Sequence, residues 1–446
     1  MNSPALVWFR FDLRLDDNPA LAAAAARGGP LIPVFIWAPE EEGDWPQGAA
    51  SRWWLHRSLR SLDAAIRGRG GRLILRRGPS MDALRALIQE CGAGAVYWNR
   101  RYEPAVRERD GRVEKALLSE GTRVETHNAA LLFEPDDIKS SSGKPFMVFT
   151  PFWRACLEAS PYFVPAAPPK FEELKWPPSL RLADFGLEPA SDWAVKLGSF
   201  WEPGEEGARK TLRRFLETAL EDYENRRDFP ASSGTSRLSP HLHFGEISPL
   251  RVWAACSGRR NPAPKSFLRQ LGWREFAHYL LYHFPHTALE PLREQFARFP
   301  WRRDAKALRA WQRGHTGYPM VDAAMRELKA TGWMHNRARM VAGSFLVKDL
   351  LLPWVEGARW FWDTLVDADL ANNTLGWQWV AGCGADAAPY FRIFNPLTQA
   401  AKFDPDAVYV RRWVPEIGTP RYPRRIVDHA RARERALKAL EAVKKR

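Results

Sequence analysis

The sequence predicts an α/β domain with a parallel five-stranded sheet, followed by a mostly α-helical domain. In the first 130 residues, short β-rich runs alternate with helical runs, whereas strand signals fade after Lys210. The chain has 446 residues, of which 45% are hydrophobic, enough to build more than one core. The predicted units are the α/β domain at 1–130, a connector at 131–205, the helical domain at 206–420 and a basic C-terminal tail at 421–446.

Five strands and four helices are predicted in the α/β domain. The strands cover 5–10, 31–38, 72–77, 95–100 and 123–128, and the helices between them cover 18–27, 51–69, 81–91 and 104–120. This alternation is typical of a Rossmann-like, doubly wound sheet. The first strand leads into FDLRLDDNPAL rather than GxGxxG, and GxxxxGK[ST] does not occur, so the pattern disfavours a nicotinamide dehydrogenase.

The connector and the second half of the chain differ in composition. Eleven prolines between residues 135 and 203 disfavour long helices in the connector. Beyond it, residues 305–313, 321–331 and 336–351 show the periodicity of helices that bury one face. The second domain is therefore predicted to be helical.

Charge and cysteine content restrict the function classes. The 66 Lys+Arg and 52 Asp+Glu give a net charge of +14, and residues 411–446 alone hold 12 basic and 4 acidic side chains. Such a balance suits a nucleic-acid partner, and equally a solvated basic helix. The four cysteines lie at least 65 residues apart, so no metal cluster is predicted. We expect a reduced, cytoplasmic protein, because no export or membrane segment is recognisable.

Tryptophans and a hydroxyl-rich loop are the first candidates for chemistry. The chain holds 21 tryptophans, nine of them between residues 273 and 379. Such rings pack helical cores, but they also stack on bases and flavins. The loop from Gly234 to Pro240 (GTSRLSP) offers three hydroxyls ahead of a predicted helix. It suits a phosphate cradle, or a plain cap with Ser239 as N-cap and Pro240 at the first helical position.

A second candidate is a group of carboxylates near an amide. Asp367, Asp369 and Asn373 lie between apolar neighbours, and in a helix Asp369 and Asn373 would share a face. A metal site is not favoured, because no His and no second carboxylate cluster lies nearby in the sequence. Upstream, Arg339 is a natural partner for a buried carboxylate.

Eight motifs follow one another between Val7 and Glu416: VWFRFDLRLDDNPAL, TSRLSPHLHFGEIS, WREF, TGYPMVDAAMREL, TGWMHNRARM, DTLVDADLANNTLGWQW, FRIFNP and YVRRWVPE. Together they resemble the DNA photolyase/cryptochrome family, most closely a bacterial cyclobutane-dimer photolyase of the branch near plant cryptochromes. The resemblance implies FAD in the helical domain. It also implies light-driven repair of cyclobutane pyrimidine dimers, by electron transfer from photoexcited reduced FAD to a dimer flipped out of the DNA.

The resemblance assigns roles to individual residues. The implied FAD contacts are Tyr223, Thr235, Ser236, Arg237, Leu238, Ser239, Phe267, Arg274, Arg339, Asp367, Asp369 and Asn373. The implied electron relay is Trp377, Trp354 and Trp301. The implied substrate and DNA contacts are Arg227, Gln270, Trp273, Asn336, Arg337, Met340, Trp379 and Gln399. Asn373 falls where the family faces flavin N5 and plant cryptochromes carry an acid, so a neutral amide there favours a repair enzyme.

One departure concerns catalysis. Gln270 stands where typical cyclobutane-dimer photolyases have a Glu that hydrogen-bonds the dimer. An amide donates and accepts hydrogen bonds but cannot carry the charge of a carboxyl group, so repair efficiency is open. The (6-4) photolyases of the family also have Gln, but their paired histidines would fall at Asn336 and Met340. The alternative function is a cryptochrome-like blue-light receptor with weak or no repair activity.

The resemblance also implies cofactors and partners. One FAD is expected, without a metal, and a second antenna chromophore is common in the family, either methenyltetrahydrofolate or a deazaflavin. Here Glu103 is followed by Ala105 and Val106 where one folate-binding pattern has Asn-Glu, so folate at a different site is preferred. The expected partner is DNA containing pyrimidine dimers, bound by a monomer away from membranes.

Overall fold

Five parallel strands form the sheet of the N-terminal domain. A computed structural model of the chain describes residues 2–172, 174–189, 192–257, 263–387 and 391–444. The strands are β1 (Ala5–Phe9), β2 (Leu31–Trp37), β3 (Ile74–Arg77), β4 (Ala95–Asn99) and β5 (Arg123–His127). Their order is β3-β2-β1-β4-β5, so the winding reverses between β1 and β4. The predicted doubly wound, five-stranded sheet is confirmed.

Helices cover both faces of this sheet. They are α1 (Pro19–Arg27), α2 (Ala49–Arg67), α3 (Ser80–Cys91) and α4 (Pro104–Ser119). Every residue of β1, β2 and β4 is buried, as expected for parallel strands between two helical layers. The Asn18 side chain accepts a hydrogen bond from the Leu21 amide and so caps α1.

The connector contains more regular structure than its prolines suggest. It includes α5 (Phe149–Ala159), a 3₁₀ turn at Leu182–Phe185 and α6 (Asp192–Leu197). Pro151 is compatible with α5 because it lies in the first turn. Backbone N–H groups there have no acceptor within the helix, so the missing N–H of proline breaks no helical hydrogen bond. Helix α5 buries Phe149, Phe152, Trp153 and Cys156.

The second domain is helical, as predicted. Its helices are α7 (Glu205–Thr218), α8 (Tyr223–Arg226), α9 (Ser239–His243), α10 (Pro249–Ser257), α11 (Ala263–His283), α12 (Ala305–Gln312), α13 (Pro319–Thr331), α14 (Asn336–Ser344), α15 (Trp354–Thr364), α16 (Leu370–Ala381), α17 (Pro396–Phe403), α18 (Val408–Trp413) and α19 (His429–Lys444). A single helix is predicted over 336–351. In the structure α14 ends at Ser344, and a π-helical turn follows at Phe345–Asp349.

The segment expected as a basic tail contains the docked helix α19. Two residues of this helix, Ala432 and Ala436, are fully buried. Its first residue, His429, places Nδ1 2.5 Å from Oδ1 of Asp349 in the π-helical turn. Helix α19 therefore packs on the helical domain; Arg435 donates to the Asp349 carbonyl, whereas Arg431, Arg433 and Lys438 are exposed.

A buried carboxylate joins the two domains. Oε1 of Glu246 accepts hydrogen bonds from Trp54 Nε1 at 2.9 Å, Ser58 Oγ at 2.5 Å and the Gly204 amide at 2.7 Å. Glu246 is only 1% exposed. Because the donors come from α2 and from the end of the connector, this group fixes the segment after α9 against the N-terminal domain.

Two further properties bear on function. Within the ranges that the structure describes, no helix is long and apolar enough to cross a bilayer. The same residues include no group of three or more His, Cys, Asp or Glu side chains arranged to hold a metal ion.

Candidate functional site

An ion pair lies beside the start of α16. Arg339 Nη2 donates to both carboxylate oxygens of Asp367, at 2.8 and 3.0 Å, and Arg339 Nε donates to the Met334 carbonyl at 2.8 Å. The Asp367 side chain is 3% exposed and that of Arg339 is 26% exposed. The arginine therefore keeps a free edge toward solvent while it neutralises a buried carboxylate.

Asp369 is held by two histidines and by its own helix. Oδ1 accepts the Asn372 amide at 2.8 Å, which makes Asp369 the N-cap of α16. Oδ2 lies 3.2 Å from His278 Nε2 and 3.6 Å from His243 Nδ1. Burial raises the pKa of Asp369, but the two imidazoles outweigh it and hold the pKa well below its ordinary value. In return, the carboxylate outweighs burial and raises the pKa of His278.

Asn373 lies one turn further along α16. Its Nδ2 donates to the Ala358 carbonyl at 3.0 Å, and the side chain is half-buried. This bond uses one of the two N–H donors of the amide, so the second N–H and the acceptor Oδ1 remain for a ligand. Asp369, Asn373 and Trp377 follow at intervals of four residues and share one face of the helix.

The loop before α9 combines two hydroxyls with a close backbone approach. Thr235 and Ser236 are half-buried, and Ser236 Oγ accepts the Leu238 amide at 3.3 Å. A Cβ on Gly234 would lie 2.7 Å from the Arg226 carbonyl, so only glycine lets the loop pass this close. Arg237 adopts a left-handed φ of 55°, a strained conformation of the kind found at ligand sites.

The end of this loop corrects one prediction. Leu238, rather than Ser239, occupies the N-cap position of α9, without a side-chain cap. Ser239 Oγ instead accepts from Trp333 Nε1 at 3.3 Å, and the Arg237 guanidinium lies 4.7 Å above the Trp333 ring. The plain-cap interpretation of Ser239 is therefore wrong, while Pro240 does lie in the first turn.

Helices α8 and α11 place the next residues. Phe267 contacts the Tyr223 ring edge to face, with centroids 5.3 Å apart, and both rings are buried in the core. Arg227 Nη2 donates to Gln270 Oε1 at 3.2 Å, and Gln270 Nε2 donates to the Ser266 carbonyl at 3.3 Å. Gln270 is thus fixed by an arginine on one side and its own helix on the other.

Arg274, one turn after Gln270, faces the N-terminal domain. Its Nη1 donates to the Ala130 carbonyl at 2.6 Å. It lines a small polar cavity together with Arg101, Glu103, His278 and Asp369. The structure therefore brings Arg274 to Asp369, as expected for one site, and adds residues of the N-terminal domain.

Two half-buried tryptophans each rest on another ring. Trp273 stacks on Phe149, with centroids 3.7 Å apart and planes 8° from parallel. Trp379 stacks on Phe394, with centroids 6.4 Å apart and planes inclined by 28°, and the Arg392 guanidinium lies 4.8 Å from its centroid. Both keep part of the ring open to solvent.

An open depression on the helical domain holds other predicted DNA contacts. Its lining includes Arg337 and Gln399 with Lys402 and Phe403. Arg337 Nη2 pairs with Asp228 at 2.9 Å, and its guanidinium lies 4.2 Å above the Phe403 ring. Nearby on α14, Asn336 Nδ2 lies 3.9 Å from Met340 Sδ.

The three tryptophans predicted to form an electron relay run from buried to partly exposed. Trp377 is 3% exposed, Trp354 is 4% exposed and Trp301 is half-buried. Gly357, one turn after Trp354, packs on Trp377, because a Cβ there would lie 2.1 Å from the ring. Trp377 Nε1 is buried without a hydrogen-bond partner among the described residues.

Sequence reasoning missed some residues of the site. His278 follows Arg274 by one helical turn, so helical spacing could have indicated it. His243 lies inside the motif TSRLSPHLHFGEIS and Lys402 lies between the motifs FRIFNP and YVRRWVPE, but no local pattern marks either residue. Phe149 belongs to the connector, and only the tertiary fold brings it to Trp273.

Comparisons with known proteins agree with this geometry. Residues 5–172 match the family model described as DNA photolyase, and residues 267–421 match the FAD binding domain of DNA photolyase. The chain is 47% identical to a deoxyribodipyrimidine photo-lyase of Agrobacterium fabrum, over 99% of this chain and 98% of that protein. It is 42% identical to cryptochrome 1 of Arabidopsis thaliana, over 93% of this chain and 63% of that protein. The crystal structure of a bacterial class III photolyase from Agrobacterium tumefaciens superposes with a TM-score of 0.95 at 47% identity, covering 100% of this chain and 98% of that one.

Proposed function

Because the chain belongs to the DNA photolyase and cryptochrome family, we propose that it repairs cyclobutane pyrimidine dimers in DNA with light and reduced FAD. The observation that carries the proposal is the pair of half-buried, ring-backed tryptophans, Trp273 and Trp379. Half-buried planar rings that rest on another ring and keep part of their surface open to solvent suit stacking on the bases of an extruded pyrimidine dimer.

The donors and acceptors of the site fit FAD. Thr235, Ser236 and Arg237 would bind the diphosphate, with the Gly234 approach holding their loop in place. Arg339 and Asp367 would orient one edge of the isoalloxazine ring, and Asn373 would offer Oδ1 as an acceptor. Bound FAD supplies light absorption and the electron for repair.

The remaining residues would handle the electron and the DNA. Trp377, Trp354 and Trp301 would carry an electron inward from the surface, which the gradient of burial supports. Arg227 and Arg337 would contact phosphates, with Gln399 and Asn336 beside them. Met340 supplies an apolar, polarizable contact next to Asn336.

A repair assay tests the proposal directly. The flavin-containing protein, reduced under blue light, is mixed with an oligonucleotide that holds one cyclobutane thymine dimer, and restored thymine is quantified. We expect restoration in light and none in darkness, while a (6-4) photoproduct stays unrepaired because Asn336 and Met340 offer no acid. Full flavin reduction without restoration of the dimer would refute the proposal.

Gln270 supports a second candidate, a blue-light receptor with weak repair. Its amide is held by Arg227 and offers the dimer no carboxyl group. The identity to a plant cryptochrome points in the same direction. A light-dependent change in gene expression that persists in a repair-deficient Trp273→Ala strain would favour this function over repair.

We also propose that the N-terminal domain holds an antenna chromophore, with methenyltetrahydrofolate preferred. A cavity at the carboxyl ends of β1 and β2 is lined by Trp8, Trp37 and Gln47. Both polar atoms of the Gln47 amide are buried and lack partners among the described residues, as expected if a ligand supplies them. Extraction followed by mass spectrometry identifies the chromophore. Gln47→Leu should lose it and retain FAD, whereas equal retention of both would contradict this site.

A further inference from the structure

Phe149 belongs to the connector but covers the back of a substrate residue. It is the first residue of α5 and is 1% exposed, whereas Trp273 on α11 is half-buried. Their rings lie 3.7 Å apart and 8° from parallel, closer and flatter than the offset or edge-on contacts that aromatic pairs usually adopt. One face of Trp273 is thus occupied, and its ring plane follows that of Phe149.

Phe149, which lies behind Trp273, is itself held by packing contacts. Trp153 continues the stack on Phe149, with centroids 6.2 Å apart and planes inclined by 13°. Gly272 on α11 leaves space for the Trp153 ring, because a Cβ at Gly272 would lie 2.4 Å from that ring. The guanidinium of the exposed Arg269 lies 4.7 Å from the Phe149 centroid. Helix α5 is therefore docked on α11 directly behind the candidate substrate pocket.

We propose that Phe149 is a positioning residue that fixes the plane of Trp273, so that connector helix α5 forms the rear layer of the dimer pocket. The inference rests on the proposed function, since it takes Trp273 as a dimer contact. The χ2 torsion of tryptophan is broad, so an unsupported indole samples several planes. If the Trp273 ring is already held in the binding orientation, substrate association does not have to spend conformational entropy on ordering it.

Binding in darkness tests this role without repair. The flavin-containing protein and its Phe149→Leu variant are titrated with a duplex holding one cyclobutane thymine dimer and with the same duplex undamaged. We expect the variant to bind the dimer about threefold to tenfold more weakly, the equivalent of one aromatic stack, with unchanged affinity for undamaged DNA. Phe149→Tyr, which keeps the ring, should restore dimer affinity.

Phe152→Leu is the matched control. Phe152 lies on the same helix and is 2% exposed, but its ring contacts Phe276 at 5.1 Å and Tyr279 at 4.9 Å. It should leave the ratio of dimer to undamaged affinity unchanged. If Phe149→Leu does not fold, Phe149→Met fills the space with a flexible chain and is measured in the same way.

The outcomes separate this inference from the proposed function. A wild-type preference for the dimer that persists unchanged in the Leu or Met variant overturns the role of Phe149 alone. Equal weakening for both duplexes also overturns it, because that indicates a general structural defect. A wild-type protein without any preference for the dimer contradicts the proposed function and the inference together.

Discussion

Gly357 and Trp377 are packed so closely that no larger residue than glycine fits between their helices. A Cβ on Gly357 would lie 2.1 Å from the Trp377 ring, and a second ring carbon would be 2.5 Å away. Gly357 follows Trp354 by one turn of α15, so the contact also sets the approach of Trp354 and Trp377, which are proposed to belong to the electron relay. We expect Gly357→Ala to destabilise the protein by about 2 kcal/mol through overpacking, and to slow light-driven flavin reduction.

Gly376 provides the control for this prediction. It precedes Trp377 in α16, and a Cβ there would meet no atom within 4 Å. Gly376→Ala should therefore leave flavin reduction unchanged and stabilise the helix by about 0.5–1 kcal/mol. Urea denaturation and the rate of flavin bleaching under blue light measure both effects. Equal behaviour of the two variants would contradict the packing argument.

The Arg339–Asp367 pair makes a prediction for cofactor retention. Asp367→Asn removes the charge that neutralises Arg339 and leaves a partly buried cation unpaired. We expect a loss of about 3 kcal/mol in the free energy of unfolding. The purified variant should also contain less flavin per chain, measured by absorbance. Asp406→Asn changes an exposed carboxylate of the same domain and should alter neither quantity.

The sheet and most helices could be predicted from sequence, because they depend on local periodicity, and the cost of an unpaired charge predicted that Arg339 pairs with a buried carboxylate; the family resemblance indicated Asp367 as that carboxylate. The end of the α-helix at Ser344 could not, because the chain continues as a π-helical turn and the periodicity of residues 336–351 does not distinguish that turn from an α-helix. The Phe149–Trp273 stack and the His278–Asp369 contact join residues 124 and 91 positions apart. Such contacts are set by the docking of elements and leave no periodic trace in the chain.

Glu275 predicts a pH dependence of stability. Burial raises its pKa from 4.5 to about 7, although Arg274 and two backbone amides act in the opposite direction. The folded protein therefore retains a proton that the unfolded chain releases, so this group favours folding most below pH 4.5. Its contribution falls as the pH rises toward 7, by on the order of 3 kcal/mol.

Glu275→Gln should remove this dependence. Unfolding free energies of both proteins are measured by urea denaturation between pH 4.5 and 8. The difference between variant and wild type should shift in favour of the variant as the pH rises. His335, whose pKa burial lowers to about 4, acts in the opposite direction but is present in both proteins, so its contribution cancels. Glu294→Gln, at an exposed glutamate, should leave the profile unchanged.

Gln270 makes a prediction for catalysis. A carboxylate at this position would keep the contact with Arg227 and gain charge assistance, since Arg227 Nη2 already lies 3.2 Å from Oε1. We expect Gln270→Glu to repair cyclobutane dimers at least as well per absorbed photon as the wild type. A marked loss of repair, with unchanged dimer binding, would show that the amide itself is needed.

Because helix α19 is docked on the helical domain, we expect that the basic C-terminus is not the main DNA contact. Ala436 is fully buried against the helical domain, whereas Ala430, on the same helix, is exposed. Ala436→Glu would force a carboxylate into an apolar contact, so we expect a loss of about 3 kcal/mol in the free energy of unfolding. Ala430→Glu should change it by less than about 0.5 kcal/mol.

Because the predicted DNA contacts Arg227 and Arg337 lie elsewhere, both variants, when folded, should bind dimer-containing DNA like the wild type. Lost dimer binding in a folded Ala436→Glu protein would instead place the main DNA contact on the C-terminal helix.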